Sequence, residues 1–375
     1  MIKLTPPLVA LCMATQVLSG TGASAAPDHG APAFAFPVTF DFPTPFAEGL
    51  ARVSSRESST QVGFVDQTGK LVIPLTFTRA ESFADGLAAV WVGESWVHGK
   101  WGYADRTGKV VIGVKFETAE PFQGGRALVR EEVQSSIGFI DRSGAYVIPP
   151  IYEEARSFSE GLAAVSKGKF RGEYGYVDRD GKVVIEPSYL DAQPFSDGLA
   201  WVLDRNGWLA IDRQGLPVHS GRFREIRPFS DGAAAASADG TTWGLIDRKG
   251  EWLIRPQYSE LGDIREGLAR FKTIGGREGF VSRDGRVVIA PTYLSVQDFS
   301  EGLAWVLVPA SDERATRVNV GNGPGRYGAI NREGQVVIPP AFTECTPFRE
   351  GFATAENAFS NERGYLENPL RKVSP

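Results

Sequence analysis

Gly102-Tyr103-Ala104-Asp105-Arg106-Thr107-Gly108-Lys109-Val110-Val111-Ile112 and Gly175-Tyr176-Val177-Asp178-Arg179-Asp180-Gly181-Lys182-Val183-Val184-Ile185 differ at only two positions. Near-identity inside one chain marks an internal repeat, and the repeat decides the fold. Its second glycine recurs at Gly69, Gly108, Gly144, Gly181, Gly215, Gly250, Gly285 and Gly334, giving eight copies. In seven of them another glycine lies six residues earlier; Leu209 replaces it in the fifth. Each copy reads as two β-rich runs joined by a tight turn. Aspartate at the turn start can bond the amides ahead of it, and glycine at its end accepts a left-handed conformation. Pro74, Pro187, Pro256 and Pro291 follow the second run and are expected to end its ladder by withholding an amide hydrogen.

Eight residues after each turn glycine stands an aromatic: Phe77, Phe116, Tyr152, Tyr189, Phe223, Tyr258, Tyr293 and Phe342. Six further on come Phe83, Phe122, Phe158, Phe195, Phe229, Phe299 and Phe348, with Ile264 as the substitute. These rings are the candidate core, two per repeat, shared between stacked units. A second glycine landmark, usually preceded by an acid, follows each turn glycine at 17 residues: Gly86, Gly125, Gly161, Gly198, Gly232, Gly267, Gly302 and Gly351. A third strand comes next, such as Leu87 to Val92. From the landmark to the next hairpin the count varies from 11 residues to 26, so a rigid 23-residue unit alternates with an elastic joint. The expectation is an all-β tandem array of three-stranded repeats of about 36 residues.

Phe40, Phe46 and Gly49 start partway through a repeat, and Arg363 to Glu367 opens one that is not completed. Pairing of these fragments would close a propeller-like ring and remove exposed edges, which favours a ring over an open β-superhelix or solenoid. Against closure, eight full repeats plus one composite exceed the usual four to eight blades.

The chain has 375 residues, 42% hydrophobic, with 43 Gly and 24 Pro, a composition of turns rather than long helices. A net charge of -5 gives no field to gather phosphates, so no nucleic-acid partner is expected. Lys3, the apolar stretch Leu8 to Leu18 and Ala23-Ser24-Ala25 have the order of a secretory signal peptide over 1–25, with a retained anchor as the alternative. The bulky Leu11 beside Cys12 departs from a lipoprotein cleavage box. The remaining organisation reads as a lead-in over 26–37, the repeat domain over 38–366 and a tail over 367–375. No membrane span is expected after cleavage, and the expected compartment is the bacterial periplasm or the exterior. Cys345 is then the only cysteine, so packing without a disulfide must hold the fold.

Lys100-Trp101-Gly102 and Thr242-Trp243-Gly244 resemble the Trp-Gly element of the WG-repeat (KWG-like) family. Gly181 to Pro187 and Phe158 to Ala163 share its other segments, and the resemblance runs from about Phe40 to Leu366. Val62, Ile137, Tyr174 and Glu278 depart from it at the tryptophan, while Trp208 keeps the position before Leu209. The family is defined by its repeats and implies no particular reaction.

Candidate chemistry is sparse. His29, His98 and His219 read as surface or turn histidines, with no metal-ligand spacing among them and no cofactor implied. Cys345 reads as packed. Asp178 to Gly181 lacks the ligands of a calcium loop, and Gly321 to Gly325 precedes a strand instead of the helix that a phosphate loop requires. Acids recur before the second glycine at Glu48, Asp85, Glu160, Asp197, Asp231, Glu266, Glu301 and Glu350; such repetition suits a turn better than a hydrolase's single carboxylate pair. Trp91, Trp201 and Trp305 fall in third strands and suit a packed inner face. The long joints Ser54 to Gln61, Gly93 to Lys100, Arg130 to Ser136 and Val308 to Arg326 should gather on one face, with Trp96, His98 and Arg326 as candidate contacts. The sequence therefore predicts a non-enzymatic binding or scaffold module for a protein partner. A cell-envelope polysaccharide binder and, further off, a hydrolase are the alternatives.

Overall fold

A computed structural model describes residues 32–37, 40, 43–55, 61–95, 97–168, 173–219, 221–309 and 325–371. The chain divides into Met1–Gly30 and Ala31–Pro375, and every described residue belongs to the second unit. The signal-peptide expectation, His29, Trp96 and the joint interior 310–324 lie outside the described residues.

The unit is a β-propeller, and each element in it is a strand. A representative sheet runs Arg79–Ala80, Leu87–Gly93, Gly99–Asp105, Val110–Phe116, antiparallel throughout. The two-residue inner strand, too short to show a period, makes this sheet four-stranded where the sequence predicts three. The hydrogen-bonded sheet also straddles two sequence repeats. Leu87–Gly93 closes one repeat, yet it pairs with the hairpin of the next, Gly93 opposite Gly99. This explains the spacing. The 23-residue unit steps from one sheet to its neighbour and must keep a fixed span, whereas the joint is a hairpin loop within one sheet and can vary in length.

The described strands form eight sheets. One is seven-stranded because Val336–Cys345 continues from the last hairpin into the composite of Phe352–Asn357, Arg363–Glu367 and Phe36–Pro37. The chain ends thus complete each other: Phe36 pairs with Tyr365 and Pro37 with Gly364. Tyr365 donates its hydroxyl to the Thr44 carbonyl at 2.9 Å, and Phe46 packs on Tyr365 with ring centroids 4.8 Å apart. Phe36–Pro37 covers the edge that Arg363–Glu367 would otherwise expose, and the open superhelix is not formed.

The core lies between sheets. Phe83, Phe122, Phe158 and Phe195 each meet the residue after the first glycine of a hairpin edge-on: Phe64, Tyr103, Phe139 and Tyr176, all with centroids at 4.9 Å. Of the fifteen aromatics expected in the core, all are buried except Tyr189 and Tyr293, which are half-buried. These two face Tyr174 and Glu278 across the strand, where Phe77 faces Val62, Phe116 faces Trp101 and Tyr152 faces Ile137.

Candidate functional site

In an antiparallel meander, successive connections alternate between the two ends of the sheet. The acid-glycine turns and the Asp-x-x-Gly turns therefore share one end, and every elastic joint emerges at the other. The expected gathering of insertions on one face follows from strand order alone.

At the turn end the eight turn glycines have φ between 79° and 85°, the left-handed region. Asp105 Oδ1 accepts from the Thr107 amide at 2.9 Å, the Thr107 hydroxyl at 2.6 Å and the Lys109 amide at 3.2 Å. The hydroxyl first, then these amides, hold the Asp105 carboxyl below its ordinary value; Thr68 and Ser143 do the same for Asp66 and Asp141. The recurring acids before the second glycine also sit at positive φ, 50° to 55°. Seven of the eight carboxylates, all but Asp231, serve the next unit. Gly86 N donates to Glu48 at 3.0 Å, Gly125 N to Asp85 at 2.7 Å, Gly198 N to Glu160 at 2.9 Å and Gly232 N to Asp197 at 2.6 Å. Gly302 N donates to Glu266 at 3.0 Å, Gly351 N to Glu301 at 2.9 Å, and Gly49 N to Glu350 at 2.7 Å across the closure. These acids are occupied in linking sheets. Gly124 stands in the acid's place in the second copy, so no carboxylate reaches Gly161 there.

The arginine at the second position of the hairpin turn, which the sequence reading left unexplained, reaches back to an earlier acid-glycine turn in the Ser282 and Asn331 turns. Arg283 Nη2 donates to the Gly232 carbonyl at 3.1 Å and Arg332 Nη1 to the Glu266 carbonyl at 3.2 Å. The signal was its recurrence, which a solvated side chain does not need.

His219 is half-buried, with its ring turned into the protein. The turn glycines Gly108, Gly144, Gly181 and Gly215 lie against Ile73, Ile112, Ile148 and Ile185 of the preceding hairpin, whereas Gly250 lies against His219. Counting four residues on from Gly215 would have revealed it. Both ring nitrogens are buried and neither meets hydrogen-bond geometry with a described residue; desolvation followed by the Arg222 charge holds the imidazole below its ordinary value, and the Gly221 backbone beside it offsets this only in part. Cys345 lines a cavity of about 510 Å³ near the ring closure, and burial pushes its thiol up, away from nucleophilic use. Among the described residues no group of three or more His, Cys, Asp and Glu side chains is placed to hold a metal ion.

At the joint end His98 is exposed, its Nδ1 3.2 Å from Ser95 Oγ. The Trp91 indole donates to the Ser95 carbonyl at 2.9 Å and anchors this joint to the core. Arg326 lies over the Phe359 ring at 4.2 Å, bringing two joints together. The sequence did not single out the apolar joint residues. Ile274, Val97 and Val133 are 83%, 77% and 67% exposed, above the other exposed large apolar side chains, and all three stand in joints. Single apolar residues within polar loops carry no periodic signal, so only the strand order shows that they share an end.

The sequence matches the family described as WG containing repeat at residues 63–96, 101–132, 137–169, 174–208, 243–277, 279–308 and 327–357. No curated protein matches it. Among solved structures, that of the eukaryotic initiation factor is 12% identical, covers 89% of this chain and 94% of its own, with a TM-score of 0.55. The computationally designed protein Ika8 is 11% identical over 89% of this chain and 99% of its own, TM-score 0.46. BamB from Moraxella catarrhalis is 14% identical over 72% and 94%, TM-score 0.43. At such identities the first of these likenesses is one of fold.

Proposed function

The chain belongs to the WG containing repeat family, and from that premise we propose that its ring is an exported, non-enzymatic scaffold whose joint end recognises a protein partner. The observation that carries this reading is the placement of Ile274, Val97 and Val133, the most exposed large apolar side chains described, on joints at one end. Exposed apolar groups gain most when a partner removes them from water. The opposite end supports the division of labour, because its carboxylates, amides and guanidiniums are bonded to one another and keep the ring in register. The periplasm or the exterior is the proposed setting, on the strength of the N-terminal Lys3, Leu8 to Leu18 and Ala23 to Ala25 pattern.

The test is site-specific photocrosslinking in the source cells at Val97, Val133 and Ile274, with Thr107 and Ser143 of the turn end as controls. The joint positions should trap one common protein and the controls should not. A V97S, V133S and I274S combination should weaken capture about tenfold with an unchanged melt. Equal crosslinking from both ends, or none from the joints, would refute the assignment.

A further inference from the structure

Three repeats keep the family's tryptophan, as Trp101, Trp208 and Trp243, and the latter two belong to consecutive repeats. Between them lies a cavity of about 650 Å³, bounded by the inner segments around Gln193 to Ser196 and Arg224 to Phe229. That volume falls in the range of roughly 300–1,000 Å³ typical of small-ligand sites. We propose that this cavity binds a neutral oligosaccharide. The proposal is independent of the joint-end reading, since it uses different residues.

The polar groups in the lining point to that chemistry. Ser159 and Ser196 donate to the Phe195 and Phe229 carbonyls at 2.6 Å each, and the Trp201 indole donates to the Arg227 carbonyl at 2.8 Å; all three are satisfied within the protein. Arg227 is not. Its Nε is buried without a hydrogen-bond partner, while its guanidinium lies over the Trp243 ring at 5.4 Å and 3.5 Å from Glu260 Oε1. A buried N–H donor without an acceptor costs desolvation energy that a ligand oxygen would restore. Arg224 and Arg227 are offset by Glu225 in the lining and by Glu260 beside it, so no net field selects an ionised ligand. Hydroxyl groups both donate and accept, which suits Arg227 together with Glu225 and Gln193. The apolar face of a sugar ring suits the half-buried Trp208 and Trp243. Trp101 has Arg79 over it at the same 5.4 Å but does not line the cavity, and it provides an internal control.

The experiment titrates the full chain with chitotriose, cellotriose and maltotriose, followed by tryptophan emission and calorimetry. At least one should bind in the roughly micromolar to millimolar range. Trp243→Ala and Arg227→Met should each weaken that binding about tenfold, and Trp101→Ala should leave it unchanged. Thermal melts establish that the variants fold, and Glu225→Gln serves in place of any that does not. No signal up to about 10 mM of all three probes, or binding indifferent to the Trp243, Arg227 and Glu225 changes, overturns the proposal. Binding of a decaproline peptide in preference to the sugars also overturns it.

Discussion

The fourth and fifth hairpins solve the same packing problem from opposite strands. In the fourth, Tyr176 fills the slot beside Phe195, its cross-strand partner is the small Ala164, and its hydroxyl donates to the Gln193 carbonyl at 2.7 Å. In the fifth, the corresponding hairpin residue is Ala210, and its partner Trp201 fills the slot, stacking on Phe229 at 5.2 Å. The Trp201 indole donates to the Arg227 carbonyl, the equivalent of Gln193. The eighth hairpin repeats the exchange: Ala329 faces Trp305, which stacks on Phe348 and donates to the Thr346 carbonyl at 2.8 Å. One large ring and one polar tip per slot are required. Which strand supplies them is free, because cross-strand partners project on the same face. The fifth unit pays elsewhere: Leu209 replaces a glycine, His219 replaces an isoleucine, and the family match skips from residue 208 to 243.

Truncation tests this equivalence most severely. Trp201→Ala should cost about 3–5 kcal/mol by thermal or denaturant unfolding, as should Phe195→Ala. Adding Ala210→Tyr to Trp201→Ala should recover half or more of the loss; no recovery would show that the two slots are not interchangeable. His219→Ile should restore the isoleucine of the other hairpins and stabilise by about 1–3 kcal/mol, since a desolvated imidazole gives way to an apolar side chain. The pH dependence has a definite sign. Burial depresses the folded imidazole below its ordinary 6.5, so the unfolded chain takes up its proton first. The stability contribution is complete above that value and is lost as pH falls from it toward the folded value. Melts across this window should show an acid-side decline that His219→Ile removes. The smallest effect concerns the second copy, where Gly124→Asp would supply the missing carboxylate to Gly161. It should stabilise by about 0.5–1 kcal/mol, provided the tip of Arg179 moves, since an added Cβ would meet it.

Much of the fold was legible because its constraints repeat. Eight turn glycines at one spacing reported eight left-handed turns, and the acids before the second glycine reported a turn requirement. The carboxylate's further bond to the next unit was not legible, because the two residues lie about 36 positions apart in different sheets. Nor was the inner strand, which at two residues has no alternation to read. Trp201 and Trp305 were rightly placed among packed third-strand residues, but without Ala210 and Ala329 as their reason. Trp208 and Trp243 looked like scattered family residues until the cavity between them appeared.

The sequence by itself determined the unit: its turns, its paired aromatics, its fixed span and its variable joint, since each depends on residues close along the chain. Closure into a ring, the carboxylate links from sheet to sheet, and the gathering of exposed apolar joint residues at one end were decided by tertiary structure. These depend on which side chains meet once each repeat has crossed into its neighbour's sheet, a relation that no local spacing records.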